Sequence, residues 1–242
     1  RALSWLLPTD NHFWSAYSPI IKILGDSYAL RLIHERIGQH LALKPLDKVL
    51  DLGCGNGLWI KEALQAGVAR AVGVDYEEKM LAVARRNCPA AEFSRANLNE
   101  ALPFANGEFT KIAEILVLGY LKNQALHISE SWRVLAPGGT LAVVTPKEGA
   151  SFYQVLKWEA KQRQAEKAII KNIKRLPLGL AAASFGKIAE LKAKIGEWHF
   201  YQRDELITAY RRAGFEIINC EPVYADQAWL LIVRRPIDSP LV

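Results

Sequence analysis

The 242-residue chain holds only three cysteines, Cys54, Cys88 and Cys220, and no C-x-x-C pair. They are too few and too scattered for a disulfide framework, which points to a reducing, cytoplasmic compartment. No apolar run approaches the ~20 residues that a membrane-spanning helix needs. The longest weakly polar stretch, residues 176–186, has eleven residues and contains Pro177 and two glycines. Internal repeats, low-complexity tracts and metal-ligand clusters are likewise absent. No secretory signal is visible; the chain begins at Arg1 rather than Met, so native residues, a removed targeting peptide included, can precede it.

What remains is the composition of a globular protein, half apolar and 23% charged. The net charge of +6 is unevenly placed. Residues 151–196 carry ten Lys and Arg against three Glu, a segment of +7 that leaves the other 196 residues at −1. A nearly neutral body therefore carries one basic insert.

From Lys48 onward, short β-branched runs alternate with amphipathic stretches. The pattern predicts strands at 48–52, 70–74, around Phe93, 110–117 and 140–145, the last stopped by Pro146. Helices are predicted between them at 58–66, 77–87 and 124–135, the last with Leu126, Ile128, Trp132 and Leu135 at helical spacing. Such alternation implies a doubly wound, parallel, Rossmann-like α/β sheet. After a helix at 203–213, two apolar runs at 215–220 and 228–233 are separated by a connection too short for a crossover, so they should pair antiparallel. The expectation is a seven-stranded sheet ending in an antiparallel hairpin. Its body would comprise 45–150 and 197–242, with a helical cap at 1–44 and the basic helical insert at 151–196.

The first strand runs into Asp51-Leu52-Gly53-Cys54-Gly55-Asn56-Gly57. Glycines are required where backbone takes φ > 0 or where a ligand approaches without a Cβ in the way, and this position is the crevice at the carboxyl ends of the strands. The third glycine falls one residue earlier than in the dinucleotide fingerprint. Asp51 is placed to hold a cationic or hydroxyl-bearing group. Asp75, 18 residues after Gly57 at the end of the second strand, can accept from both hydroxyls of a ribose.

The runs 49–57 and 72–75, Leu102-Pro103-Phe104 and 133–141 together resemble the successive motifs of class I S-adenosylmethionine-dependent methyltransferases. The pattern is most similar to the ubiquinone/menaquinone type. The resemblance covers about 45–147 and 200–235, and the terminal hairpin separates this fold from ordinary dehydrogenases. It implies S-adenosyl-L-methionine as cofactor, with Gly53, Gly55 and Gly57 beneath its methionine part and Asp51 near the ammonium. Asp75 would hold the ribose and Tyr76 would pack on the adenine. Asn97, where the family carries Asp, would accept from the adenine amino group more weakly, and the Leu98 N–H would reach a ring nitrogen. Departures are Thr110 after Phe109 and the run Leu116-Val117-Leu118-Gly119-Tyr120, which lacks the acidic and histidine positions of many relatives and makes the acceptor side apolar. Neither an Asn-Pro-Pro-Tyr nor a Pro-Cys motif occurs, against DNA methylation.

In the cap, Tyr17 lies 32 residues before Val49, a spacing similar to a Tyr-Asp pair of the quinone enzymes, with Ser18 replacing the Asp. Tyr17 would then cover the methionine carboxylate, with His12 nearby, or simply pack with Phe13 and Trp14. His34 and His40 read as solvated, His127 as a surface or packing residue, and His199 as able to face the acceptor pocket. Tyr17, His12 and His199 are candidates for a base, and none is singled out. The insert reads as a solvated lid, as an amphipathic surface for anionic lipid, or, less well because its aromatics cluster at the ends, as a nucleic-acid surface. The expected function is methyl transfer to a small, lipophilic acceptor, quinone-like or lipid, in the cytoplasm or at a membrane face. An RNA or protein methyltransferase gripping its partner by the insert, and a cofactor-binding relative without transfer activity, are the alternatives.

Overall fold

The computed structural model describes residues 27–165, 187–188 and 190–238. Tyr17 and His12, with most of the expected cap and the middle of the insert, lie outside the described residues. The helices are α1 (Tyr28–Leu41), α2 (Leu58–Gln65), α3 (Glu78–Asn87), α4 (Gln124–Val134), α5 (Phe152–Ala165) and α6 (Arg203–Arg212). The strands are β1 (Lys48–Leu52), β2 (Arg70–Asp75), β3 (Glu92–Arg95), β4 (Phe109–Ile115), β5 (Leu135–Pro146), β6 (Glu216–Val223) and β7 (Ala228–Arg234). They form one sheet in the order β3-β2-β1-β4-β5-β7-β6. The strands from β3 to β5 are parallel to one another, and β7 is antiparallel to both β5 and β6. The order reverses between β1 and β4, the place where α/β sheets open a crevice for ligands.

Alternation along each strand divides the core in two. Val49, Ala113, Val144 and Ile232 face one way and meet Ile33, Ile37 and Leu41 of α1 and Trp59, Ile60 and Ala63 of α2. Leu50, Ile112, Val143 and Leu231 face the other way, against Ile128 of α4 and Leu206, Ile207 and Tyr210 of α6. The α1 contacts recur at four-residue spacing because one stripe of that helix is apolar.

Helix α1 is tied to the insert. The Ser27 side chain accepts from the Leu30 N–H, and Glu159 of α5 accepts from the Ala29 N–H at 2.6 Å. Two of the orphan donors of the first turn are thereby satisfied, the second by a carboxylate favoured at a helix N-terminus. Tyr28 stacks on Trp158 with ring centroids 5.6 Å apart.

Several boundaries shift from those expected, β6 running to Val223 instead of 220 among them, and three of the shifts have a visible cause. Strand β4 stops at Ile115 rather than 117 because Leu116 turns into the left-handed region at φ 57°. Strand β5 begins at Leu135, since the Pro-Gly-Gly run stays in the sheet. There the Gly138 N–H donates to the Arg235 carbonyl, and the Arg235 N–H donates to the Gly139 carbonyl. Pro146 pairs with Ala228 as the last residue of β5 instead of ending it a residue earlier.

Candidate cofactor and acceptor site

The glycine loop is fastened to the neighbouring strand by its own backbone. The Gly53 and Cys54 N–H groups both donate to the Val74 carbonyl, at 2.8 and 2.9 Å. Gly53 stands at φ 79°, and a Cβ there would come 2.3 Å from Cγ2 of Val117. A side chain is therefore excluded twice, by dihedral angle and by the β4 end pressed against the loop. Leu116 makes that pressure possible, because its left-handed backbone folds Val117 back over Gly53. A bulky residue at positive φ is an uncommon, strained arrangement, and this one lines the cavity described below.

Two carboxylates flank the loop. Asp51 is buried, 3% exposed, at the end of β1. Burial, reinforced by the nearby charges of Asp75 and Glu114, pushes its carboxyl up to about 8. A carboxylate so poorly solvated is one that a cation would ionise. Asp75 ends β2 and accepts from the Gly55 N–H at 2.8 Å and from the Glu77 N–H at 2.9 Å. Burial raises its carboxyl as well, and those backbone donors pull in the opposite direction. Four lone-pair sites minus two backbone bonds leave it able to accept further hydroxyl donors.

Beyond Asp75, Tyr76 is held from one side. The Arg95 guanidinium lies 4.7 Å over its ring and donates to its carbonyl at 3.0 Å. The Asn97 side chain accepts from the backbone and side-chain N–H groups of Asn99 and donates to Glu100 at 2.6 Å. Its oxygen is thus already shared within the turn. The Leu98 N–H makes no hydrogen bond to the described residues.

Asp51, Gly53, Gly55, Asp75, Tyr76, Asn97 and Leu98 all line one cavity of about 660 Å³, and Gly57 supports the loop behind it at φ 75°. The volume suits a drug-sized ligand with room to spare. Its other half is bounded by the ends of β4 and β5, the start of α5 and the β6–β7 turn. There the wall is Leu116, Val117, Pro146, Phe152, Val155 and Phe200, with Tyr120 and Tyr224. Burial holds both phenols well above their ordinary range. Tyr224 opens a run of three non-glycine residues at positive φ, with Ala225 and Asp226. That turn is clamped by the ion pair of Asp226 with Lys147 and by the Ser151 N–H donating to Gln227 at 2.8 Å.

The histidines are placed differently from what their sequence context suggests. His127 is fully buried and pairs with Glu114 at 3.0 Å, both side chains at 0% exposure. His34, expected to be solvated, lines the cavity, and its Nδ1 meets Oε1 of Glu62 at 2.9 Å. His40 reaches Glu221 at 3.3 Å. His199 pairs with Glu205 at 2.7 Å, is half exposed and is not among the cavity walls. Its backbone matters instead: the His199 N–H donates to the Gly119 carbonyl at 2.9 Å, docking 198–200 onto the β4–α4 loop. A Cβ on Gly119 would come 3.0 Å from the His199 carbonyl oxygen. That close approach explains a glycine at the end of the apolar run. Among the described residues, no group of three or more His, Cys, Asp and Glu could hold a metal ion.

Topology and site define an α/β protein whose cavity, at the point where the strand order reverses, holds the buried carboxyl of Asp51. Comparison with known proteins narrows this. The methyltransferase-domain family matches residues 49–139. The trans-aconitate 2-methyltransferase of Delftia acidovorans is 30% identical over 220 residues, 87% of this chain and 73% of that protein. The demethylmenaquinone methyltransferase of Thermus thermophilus is 35% identical over 134 residues, 51% and 60% of the respective chains. An S-adenosylmethionine-dependent methyltransferase structure from Mesorhizobium loti shares the fold, with a TM-score of 0.61 at 19% identity over 87% of this chain and 99% of that one. The chain belongs to the S-adenosylmethionine-dependent methyltransferases. It spans about half the length of the first curated relatives it matches.

Proposed function

We propose that this chain transfers the methyl group of S-adenosylmethionine to a small, neutral, lipophilic acceptor of the quinol or lipid class. The residues present fit the cofactor: a buried carboxylate short of a counter-ion, a loop that tolerates no Cβ at Gly53, and an uncommitted N–H at Leu98. Asp51 would take the ammonium, Asp75 the ribose hydroxyls, Tyr76 one face of the adenine, and Leu98 a ring nitrogen. When bound, S-adenosylmethionine supplies a methyl group already activated by its sulfonium. What is left to the protein is orientation and exclusion of water. The wall of Leu116, Val117, Phe152, Val155 and Phe200 keeps water from the acceptor side. Tyr120 and Tyr224 stay protonated, so they act as donors that orient an acceptor oxygen and not as bases.

The observation that carries the acceptor class is the apolar wall of Leu116, Val117, Phe152, Val155 and Phe200, with Lys122 the single Lys or Arg among the described residues that line the cavity. A polyanionic acceptor packed on that wall would leave charges unanswered, at a cost of several kcal/mol per unpaired ion. A relative named for demethylmenaquinone agrees with this reading. The test is a panel of purified acceptors with labelled S-adenosylmethionine: a prenylated naphthoquinol against a tricarboxylate. Faster transfer to the quinol is expected, and Val155→Arg should abolish it; preference for the tricarboxylate would overturn the assignment.

The insert fits delivery of such an acceptor from an anionic membrane surface. On α5, Tyr153, Lys157 and Lys161 recur at four-residue spacing and are exposed, Tyr153 to 62%. Such a stripe pairs charge with an interfacial aromatic. Lys192 does not belong to it, being buried and paired with Glu197 at 2.8 Å. Sedimentation with anionic vesicles should be lost in Lys157→Glu/Lys161→Glu; salt-sensitive RNA binding without vesicle binding would favour the RNA alternative instead. Among the described residues, no helix is long and apolar enough to cross a membrane.

A further inference from the structure

The amino-acid end of the cofactor carries two opposite charges, and Asp51 can answer only the positive one. The carboxylate needs a cationic or donating partner in the same half of the cavity. Among the described residues, the lining contains two side chains able to carry positive charge, His34 and Lys122. Lys122 follows the β4 end, and its backbone N–H donates to Asn99 at 2.7 Å, beside the nucleoside-binding turn of Asn97 and Leu98. His34 is on α1, across from the first turn of α2, where Leu58 and Trp59 line the cavity directly after the glycine loop. Its imidazole is nearly enclosed, with the side chain 10% exposed. One ring nitrogen, Nδ1, is held at 2.9 Å by Glu62, one turn further along α2.

We infer that His34, oriented by Glu62, holds the carboxylate of the methionine moiety. A carboxylate on Nδ1 requires that nitrogen to carry its proton, and a second carboxylate on Nε2 requires the same there. Between two carboxylates the ring is therefore the doubly protonated imidazolium, with each nitrogen donating one charge-assisted bond. Glu62 fixes the ring's orientation through its 2.9 Å contact with Nδ1. Asp51 and His34 then form a complementary pair, one carboxylate for the ammonium and one imidazolium for the carboxylate. His34 is a binding residue in this assignment and takes no part in proton transfer from the acceptor. The inference rests on the cofactor and stands whatever the acceptor is.

The test uses binding, not turnover. Calorimetry would compare S-adenosylhomocysteine with its decarboxylated analogue, which keeps the amine and the nucleoside and lacks only the carboxylate. Wild type should prefer S-adenosylhomocysteine by about ten- to hundredfold, the range of a hydrogen bond between charged groups. In His34→Phe that preference should vanish while the analogue binds as it does to wild type, which also shows that the fold and nucleoside site are intact. Glu62→Gln should give an intermediate preference. A wild type without preference, or a His34→Phe protein that retains it, would overturn the assignment. So would equal weakening of both ligands, which marks a packing role. Failure of wild type to bind either ligand would instead remove the cofactor reading itself.

Discussion

Replacing Asp51 with Asn should uncouple cofactor binding from one proton. In the free protein the Asp51 carboxyl is pushed up to about 8 by burial and by the negative charge of Asp75 and Glu114. At pH 7 such a group is about nine-tenths protonated, and an ammonium seated against it ionises it, so binding expels about 0.9 proton. The affinity of wild type relative to Asp51→Asn should consequently rise about tenfold per pH unit from pH 6 to 8 and level off above. At pH 8 the variant, lacking a charge-assisted bond worth about 1.5–3 kcal/mol, should bind about 10- to 100-fold more weakly. Calorimetric titration of S-adenosylhomocysteine in buffers of different ionisation enthalpy counts the protons. Taking the difference between the two proteins cancels any proton taken up at His34, which is common to both. The ligand-free protein provides an independent check on sign. Because the folded-state value lies above the ordinary 3.8, the folded chain binds more protons than the unfolded one between about pH 4 and 8. Stability therefore falls as pH rises through that window, and the melting temperature of Asp51→Asn should gain on wild type up to about pH 8. Equal proton release by both proteins, or a pH-independent affinity ratio, would refute the reasoning.

Other substitutions probe the frame around the site. Gly53→Ala faces both a left-handed φ and a 2.3 Å approach to Val117. It should cost about 1–3 kcal/mol in denaturant unfolding and weaken S-adenosylhomocysteine binding. His127→Ala leaves Glu114 buried without its partner at 3.0 Å. A loss of about 3–5 kcal/mol is expected, with part recovered when Glu114→Gln is added. Gly119→Ala crowds the His199 carbonyl; hydrogen exchange at residues 198–200 should quicken while cofactor affinity holds.

The fold was largely legible because its signals are local. Strand β1 coincides with its expected bounds, and the short connection between the apolar runs 215–220 and 228–233 demanded an antiparallel hairpin, which the sheet has. The glycine loop, Asp51 and Asp75 were equally readable, since positive φ and a carboxylate at a strand end leave a residue-type signature. Leu116 leaves none: nothing about a leucine announces φ 57°, so β4 was drawn two residues too long. His34 differs from its expectation for another reason. It sits in an amphipathic helix and reads as solvated until Glu62, 28 positions away, is brought against it, while His127, which reads as surface or packing, is a packing residue once Glu114, 13 positions away, meets it. Likewise Lys192 looked like one more solvated charge of the insert, but Glu197 and the Trp198 ring enclose it.

The protein, mixed with S-adenosylmethionine labelled in its methyl group and with a total lipid extract, should transfer label into the organic phase. That transfer should disappear in Asp75→Ala, which removes the carboxylate proposed to hold the ribose. Label confined to water-soluble or RNA fractions, or organic-phase transfer undiminished by Asp75→Ala, would contradict the account.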